Sequence, residues 1–403
     1  MLGGVAGEGA PETTDVVIIG GGILGCATAY YLAARGLDVL LVERGALNRE
    51  ASGTNAGSLH IQIHGAHFRL QYLESPRAQE RQAFFAECNR LFVEAARVWS
   101  GLERELEADL GLRFEGGLMV AETAAELEIL RAKVAYENSV GLPTRLLGTR
   151  EMLQYEPCLS SELLGASYCA SEGFANPLLV APTFMRRAQR HGARLSLHTR
   201  VEGIEPAGQR QFLLTTSRGQ ILARRVVVAA GAQTRHIGRL VGLDLPVLVH
   251  PIQVMATEPR PPMLRQLIQH GGTRPLSLRQ TQYGTFVIGG GWPASEIAGR
   301  SRLTVERASL AANAAVAMEV MPPLREVRIV RSWAGMTSTV GRKNRVGLLG
   351  QAPQLGQFFV LVASGLGFTL GPVLGRLMAE LVAEGATSLP TAELGLRQAW
   401  ADS

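Results

Sequence analysis

The chain has 403 residues, a formal net charge of +5, and 46% hydrophobic against 19% charged residues. That length exceeds what one simple core covers, so two domains are expected, with the composition of an ordinary soluble globular protein. Nearly all the cations are arginine and no basic run with interleaved aromatics occurs, which disfavours a nucleic-acid partner.

The N-terminal stretch Met1–Thr14 has no basic region followed by a long apolar run, so it reads as a disordered leader rather than a signal peptide. Next comes "DVVIIGGGILGCATAYYLAARGLDVLLVERG", which reads as strand, turn, helix and second strand. Gly20, Gly22 and Gly25 supply G-x-G-x-x-G: a tight turn, a backbone that a pyrophosphate can approach, and close helix–strand packing. Ile23 and Leu24 open a helix whose first amides face the phosphates. Glu43, followed by Arg44, ends the second strand, where its carboxylate can accept both ribose hydroxyls of an adenosine. An acid there argues against a 2′-phosphate and leaves NAD or FAD.

A second small-residue loop follows directly, "ASGTNAGS", in which Ser52, Thr54, Asn55, Ala56, Gly57 and Ser58 can wrap the remainder of a larger dinucleotide with backbone amides. That loop favours FAD. His60, His64 and His67 come next. On a helix they would share a face and invite a metal, but "SLHIQIH" alternates like a strand and no nearby acid completes a set, so no metal is expected. Tyr72–Trp99 has helical periodicity and predicts a long connecting helix, and Thr123–Gly141 predicts another. The four cysteines, Cys26, Cys88, Cys158 and Cys169, have no C-x-x-C spacing and read as buried thiols of a reducing compartment.

Further along, "RRVVVAAGAQT" predicts a buried strand ending at Ala230 and Gly231, where a bare backbone can pass the dinucleotide. From Leu245 to Val330, strand-like runs predict a mostly antiparallel sheet. Phe358–Ala383 imitates a membrane span, but Gly365, Gly367, Gly371 and Pro372 break it. The better reading is a strand, a glycine loop and a helix with Pro372 in its first turn. The amides around Gly365, Leu366, Gly367, Phe368 and Thr369 would face a flavin edge that gains negative charge on reduction.

With the glycine triad and Glu43, "ASGTNAGS", "VVVAAGA" and "RSWAGM…VASGLGFTLGP" in place, the chain resembles the D-amino acid oxidase/glycine oxidase family of FAD-dependent oxidoreductases from about Asp15 to Ala383. Within it, "SGTNAGSLHIQ" and "EGFANPLLVAPTF" most resemble the FAD-carrying (beta) subunit of opine and D-hydroxyproline dehydrogenases. The resemblance implies an α/β fold: a discontinuous Rossmann-like FAD domain (residues 15–80, 150–240 and 330–395) and a substrate domain with a mostly antiparallel sheet (81–149 and 241–329). It places Val201 near the adenine and the histidine segment beside the isoalloxazine, with His60 or His64 against flavin or substrate. It also implies hydride transfer from an amine α-carbon to flavin, in a complex with other electron-carrying subunits. Some relatives tether flavin through a late cysteine; here no cysteine follows Cys169 and no histidine follows His270, so FAD should be non-covalent. Gly-Leu-Gly also stands where many relatives have Gly-His-Gly.

An amino-acid substrate needs a carboxylate anchor, which the arginine fork suits. Arg279 and Arg331 are the candidates by position, each equally readable as a solvated sheet-face arginine. Tyr283 and Trp292 are candidate pocket aromatics, and Gln253 and Gln280 candidate polar contacts. The expected activity is that of an FAD-dependent amino-acid dehydrogenase subunit in the cytoplasm, reaching a membrane only through partners. The alternatives are a stand-alone glycine, sarcosine or D-amino acid oxidase making peroxide, and an FAD-binding structural subunit without catalysis.

Overall fold

The computed structural model describes residues 10–74, 78–208, 210–297, 302–341 and 345–401. Most of the expected leader therefore lies outside the described residues, and the first strand begins at Glu12, ahead of Asp15.

Strands Glu12–Ile19 and Val39–Val42 are β-branched and leucine runs buried on both faces, which suits only the interior of a parallel sheet. They pair in parallel, Val17 opposite Leu40, and on its other side the first strand pairs in parallel with Gly219–Val228, Val17 opposite Val226. Arg194–Ser196 and Phe358–Ala363 extend the sheet in parallel on either side, and Gly347–Gln351 closes one edge antiparallel. A hairpin of Val201–Ala207 and Gln211–Thr216 joins through the strand Gly219–Val228. One face is covered by the helix Ile23–Ala33, buried along its whole length, packed with Pro177–Arg190 and Gly367–Glu384.

The second sheet runs in the order Ile329–Val340, Val247–Pro259, Thr285–Gly289, Ser277–Gln280, Leu267–His270, Gly117–Ala121, Gly165–Cys169, Thr144–Gly148. Its pairings are antiparallel except Leu267–His270 with Gly117–Ala121. The expected segmentation differs in the sheet membership of two strands and in the packing of one helix. Gly165–Cys169 and Ile329–Val340 fall in segments assigned to the dinucleotide fold yet pair into the second sheet. The helix Ala78–Glu105, assigned to the substrate side, packs on Gly367–Glu384, with the fully buried Trp99 donating from Nε1 to the Thr369 carbonyl at 2.7 Å.

The membrane-like segment is a buried strand followed by a helix, and no helix among the described residues is long and apolar enough to cross a membrane. That helix begins at Gly367, so Pro372 sits inside it instead of in its first turn. The first intrahelical bond runs from the Leu370 amide to the Leu366 carbonyl, so the amides of Gly367–Thr369 have no intrahelical partner and lie at the site described next.

Candidate FAD and amine site

Two cavities lie near the glycine turn and the histidine segment. The smaller, about 230 Å3, is lined by Gly21, Gly22, Glu43–Ala46, Asn48–Glu50 and Ser52. At its rear Gly20 has φ +118°, and a Cβ there would lie 2.4 Å from the Ala229 carbonyl oxygen. A Cβ on Gly25 would lie 2.0 Å from the Gly20 carbonyl, so helix and turn approach as closely as the backbone allows. Ser52 reaches across the chain and accepts from the Ile23 amide at 3.0 Å, satisfying one free donor at the helix start.

Glu43 ends its strand as expected, but its carboxylate already accepts from Gly21 N at 2.7 Å and Gly45 N at 2.8 Å. Each oxygen keeps a second lone pair for a ribose hydroxyl. Arg44 lines the same cavity and pairs with Glu50 at 2.7 Å. Ala230 and Gly231 follow Ala229, the residue after the strand end at Val228, and the Ala229 amide bonds the Ile19 carbonyl beside the glycine turn. Val201 is buried in the hairpin core, and its side chain lines neither cavity.

The larger cavity, about 620 Å3, is lined by Ser52, Thr54, Asn55, Ala56 and Ser58, by His60, His64 and His67, and by Gly365–Thr369. Residues expected from three distant stretches of sequence thus meet. Two local details differ from expectation. Ala51–Thr54 is one helical turn rather than loop, and the Thr54 and Gly57 amides are spent on the Glu50 carbonyl and Asn55 Oδ1. Backbone amides from the whole of Thr54–Ser58 are therefore not free to wrap a ligand.

His60 is clamped at its amide by Thr369 Oγ1 at 3.0 Å, and burial pushes its imidazole pKa down to about 4. Burial and the neighbouring His67 push His64 to about 3, its ring meeting that of His67 at 5.9 Å. His60 and His64 are thus neutral at physiological pH. Among the described residues lining this cavity there is no Asp or Glu, and Arg345 is the sole Arg or Lys.

The expected substrate anchors are not brought here. Arg279 is buried behind the loop, donating from Nε to the Ala56 carbonyl at 2.5 Å and stacking on Phe174, with its pKa pushed down to about 10 by burial. Arg331 is exposed over Trp333, and Tyr283 is 79% exposed at a turn. Alternation along a strand shows which residues share a face but not which face covers the cavity. Replacing Arg331 by Ala or Tyr283 by Phe is expected to leave kcat/KM and stability within about 0.5 kcal/mol of the parent, read by steady-state assay and thermal melting. Gln280 is occupied by the Met263 and Leu264 amides, and Trp292 by the Pro275 carbonyl, both in structural roles. Gln253 lines the cavity but both ends of its amide bond Glu306 backbone.

Sequence reading missed the layer behind the histidines. Glu172, fully buried, accepts from Ile61 N at 2.9 Å and Gln62 N at 3.0 Å, and Glu137, also fully buried, accepts from Ile63 N at 2.8 Å. Three consecutive amides of an extended segment without a strand partner are thereby satisfied by carboxylates. Lys133 bonds Glu137 at 2.8 Å and Gln62 Oε1 at 3.1 Å. Glu122, Glu126 and His270 form the one metal-like cluster among the described residues, with ligand atoms within 4.8 Å of one another. His270 Nδ1 accepts from Gly272 N, which leaves the proton on Nε2, facing Glu122 at 2.9 Å. Glu126 is spent on the helix cap at Thr123. In this arrangement the His270 imidazole has no free lone pair for a metal.

The two cavities, a glycine turn that admits no side chain, and helix-start amides at both ends fit a dinucleotide such as FAD. Comparison with known proteins agrees. A family profile described as "FAD dependent oxidoreductase" matches residues 15–381. An opine oxidase subunit of Rhizobium meliloti is 27% identical over 332 residues, covering 80% of this chain and 81% of the relative. The beta subunit of the sarcosine oxidase of Rhodobacter capsulatus is 27% identical over 397 residues, 95% of this chain and 88% of the relative. The crystal structure of glycine oxidase from Geobacillus kaustophilus superposes with a TM-score of 0.82 at 25% identity, covering 96% of this chain and 98% of that one. With a profile match over most of its length and this site geometry, the chain belongs to the family of FAD-dependent oxidoreductases that act on amines and amino acids.

Proposed function

We propose that the chain is the FAD-carrying subunit of a dehydrogenase for a secondary-amine amino acid of the opine or D-hydroxyproline type. When bound, FAD supplies the two-electron acceptor for hydride leaving the amine α-carbon, and the resulting imine is hydrolysed by water. The observation that carries the reading is the charge of the larger cavity. Its lining carries the neutral His60 and His64 and no described carboxylate, so an ammonium entering it loses hydration and gains no counter-ion. The cavity therefore favours the unprotonated amine, the form that can release hydride.

Support for a partnered enzyme is that two relatives are named as components of larger enzymes, an opine oxidase and a sarcosine oxidase. Because the bound amine is neutral, kcat/KM is expected to rise with pH until the free substrate amine is itself deprotonated, and then to level. A pH profile flat through that region would contradict it. The substrate class is tested by an anaerobic screen of opines, D-hydroxyproline, proline, sarcosine and glycine for loss of flavin absorbance. Bleaching by the secondary amines ahead of glycine, with little peroxide in air, supports the proposal. Rapid peroxide formation by the chain alone would replace it with a stand-alone oxidase.

A further inference from the structure

The strand Gly117–Ala121 opens on a residue without a side chain, and the Glu172 carboxylate fills the space. A Cβ on Gly117 would lie 2.0 Å from Glu172 Oε2 and 2.8 Å from Glu172 Cβ. Glu172 is fully buried, and N–H donors reach its two oxygens from two directions. From the histidine segment come the Ile61 and Gln62 amides, at 2.9 and 3.0 Å from Oε1, and Gln62 Nε2, at 2.9 Å from Oε2. From the strand Leu267–His270 of the second sheet comes Gln269 Nε2, 3.0 and 2.9 Å from the two oxygens. A protonated carboxyl would have to aim its own proton at one of these donors, so the arrangement suits the carboxylate ion. Burial raises the Glu172 pKa, and the donors oppose that rise.

The two side chains bonded to Glu172, Gln62 and Gln269, both line the larger cavity. The segment whose amides it holds also carries the lining residues His60, Ile63 and His64. That segment leaves the short strand Ser58–Leu59, which pairs with Gly173–Phe174, the residues directly after Glu172. Gln62 is held from its other end as well, its Oε1 accepting from Ser167 Oγ at 2.6 Å and Lys133 Nζ at 3.1 Å. The next amide along the chain, Ile63, goes to a different carboxylate, Glu137, at 2.8 Å. Adjacent stretches of one cavity wall are thus held by two separate buried acids.

We propose that Glu172 is a positioning residue for the amine reaction: its carboxylate ties the histidine segment to Gln269 of the second sheet, and so fixes the wall against which the amine α-carbon rests as hydride leaves. This rests on the amine reading above. Glu172 lies behind the lining and exchanges no proton. A wall displaced by about 1 Å still encloses an amine of the same size, but takes the α-carbon out of line, and misplacement on that scale costs about 100-fold in rate. The signature of the role is slower flavin reduction with little change in amine affinity.

The test uses the flavin-loaded chain with 15N-labelled isoleucine, whose amide exchange reports Glu172 through Ile61 and Glu137 through Ile63. Each signal is assigned by its loss in Ile61→Val or Ile63→Val. In the wild type both amides are expected to exchange as slowly as core amides, and free exchange at Ile61 overturns the proposal without any variant. Glu172→Gln keeps the shape but turns N–H groups toward donors. It is expected to retain FAD and to speed exchange at Ile61 about 10-fold or more with Ile63 unchanged. Anaerobic reduction by the amine that bleaches the wild type fastest should slow about 100-fold, with apparent Kd within about threefold. Gly117→Ala, which keeps the charge and every donor but fills the space of the carboxylate, is expected to give the same changes if Glu172→Gln does not fold. Equal acceleration of Ile61 and Ile63 would mean general loosening and overturns the proposal, as does a wild-type reduction rate in either folded variant. Failure of every amine to reduce the wild type would instead overturn the function proposed above, since the exchange readout needs no substrate.

Discussion

Lys133→Met is expected to destabilise the fold by about 3–5 kcal/mol, the usual cost of removing one partner of a buried ion pair. Both Lys133 and Glu137 have side chains 0% exposed. Without the ammonium, Glu137 remains buried with only Ile63 N and Thr144 Oγ1, at 2.8 and 2.9 Å, as donors. Gln62 also loses the contact on its Oε1 and keeps that of Ser167. The loss is read in denaturant melts of the flavin-loaded protein. Adding Glu137→Gln is expected to restore part of it, because an amide oxygen still accepts from Ile63 and no bare charge remains. A single variant within about 1 kcal/mol of wild type would mean that the pair is hydrated in solution and that the layer is not the rigid support described.

Gly25→Val is expected to yield protein without flavin. Any Cβ at this position would fall 2.0 Å from the Gly20 carbonyl oxygen, and Gly20 itself is pinned by the Ala229 carbonyl at its back. The helix Ile23–Ala33 is buried on every side, against Gly367–Glu384 and Pro177–Arg190, so it cannot move aside cheaply. Overpacking of this sort costs about 1–3 kcal/mol or more, and any shift withdraws the first helical amides from the phosphates. The measurement is the flavin-to-protein absorbance ratio after purification, with circular dichroism as the check on folding. Stoichiometric flavin in this variant would place the pyrophosphate elsewhere.

The dinucleotide half was legible because its signals are local: strand, glycines, helix, strand and Glu43 lie in one unbroken run, and each feature constrains the next. The Gly365–Thr369 turn was legible for the same reason. Its helix start was displaced because Pro372 reads as a first-turn residue, whereas the glycine loop sets the start five residues earlier at Gly367. The substrate half was not legible. Arg279, Arg331 and Tyr283 have suitable chemistry, but a period of two cannot say whether their faces look into the cavity, toward solvent or behind a loop.

Glu172, Lys133, Glu137 and Gln269 were invisible for a different reason. They come from a short strand approach, a helix and a second-sheet strand, and nothing in the spacing of "RAKVAYENS" or "LIQH" marks a charge that will be buried. Lys and Glu at such positions read as a solvated helix face. Only the long-range packing of the helix Ala124–Ser139 onto the histidine segment converts them into its hydrogen-bond partners. The three histidines have a spacing that would suit a metal on a helix, but their strand-like alternation and the lack of a nearby acid argued against one, and in the fold all three line the larger cavity.

The most direct test of the account is anaerobic stopped-flow reduction of the flavin-loaded chain by the amine that bleaches it fastest, compared with the same amine deuterated at its α-carbon. The account predicts that bleaching slows severalfold with deuterium and that one imine or its hydrolysis product forms per flavin. Equal rates for the two substrates, or bleaching by NADH and by no amine, would contradict it.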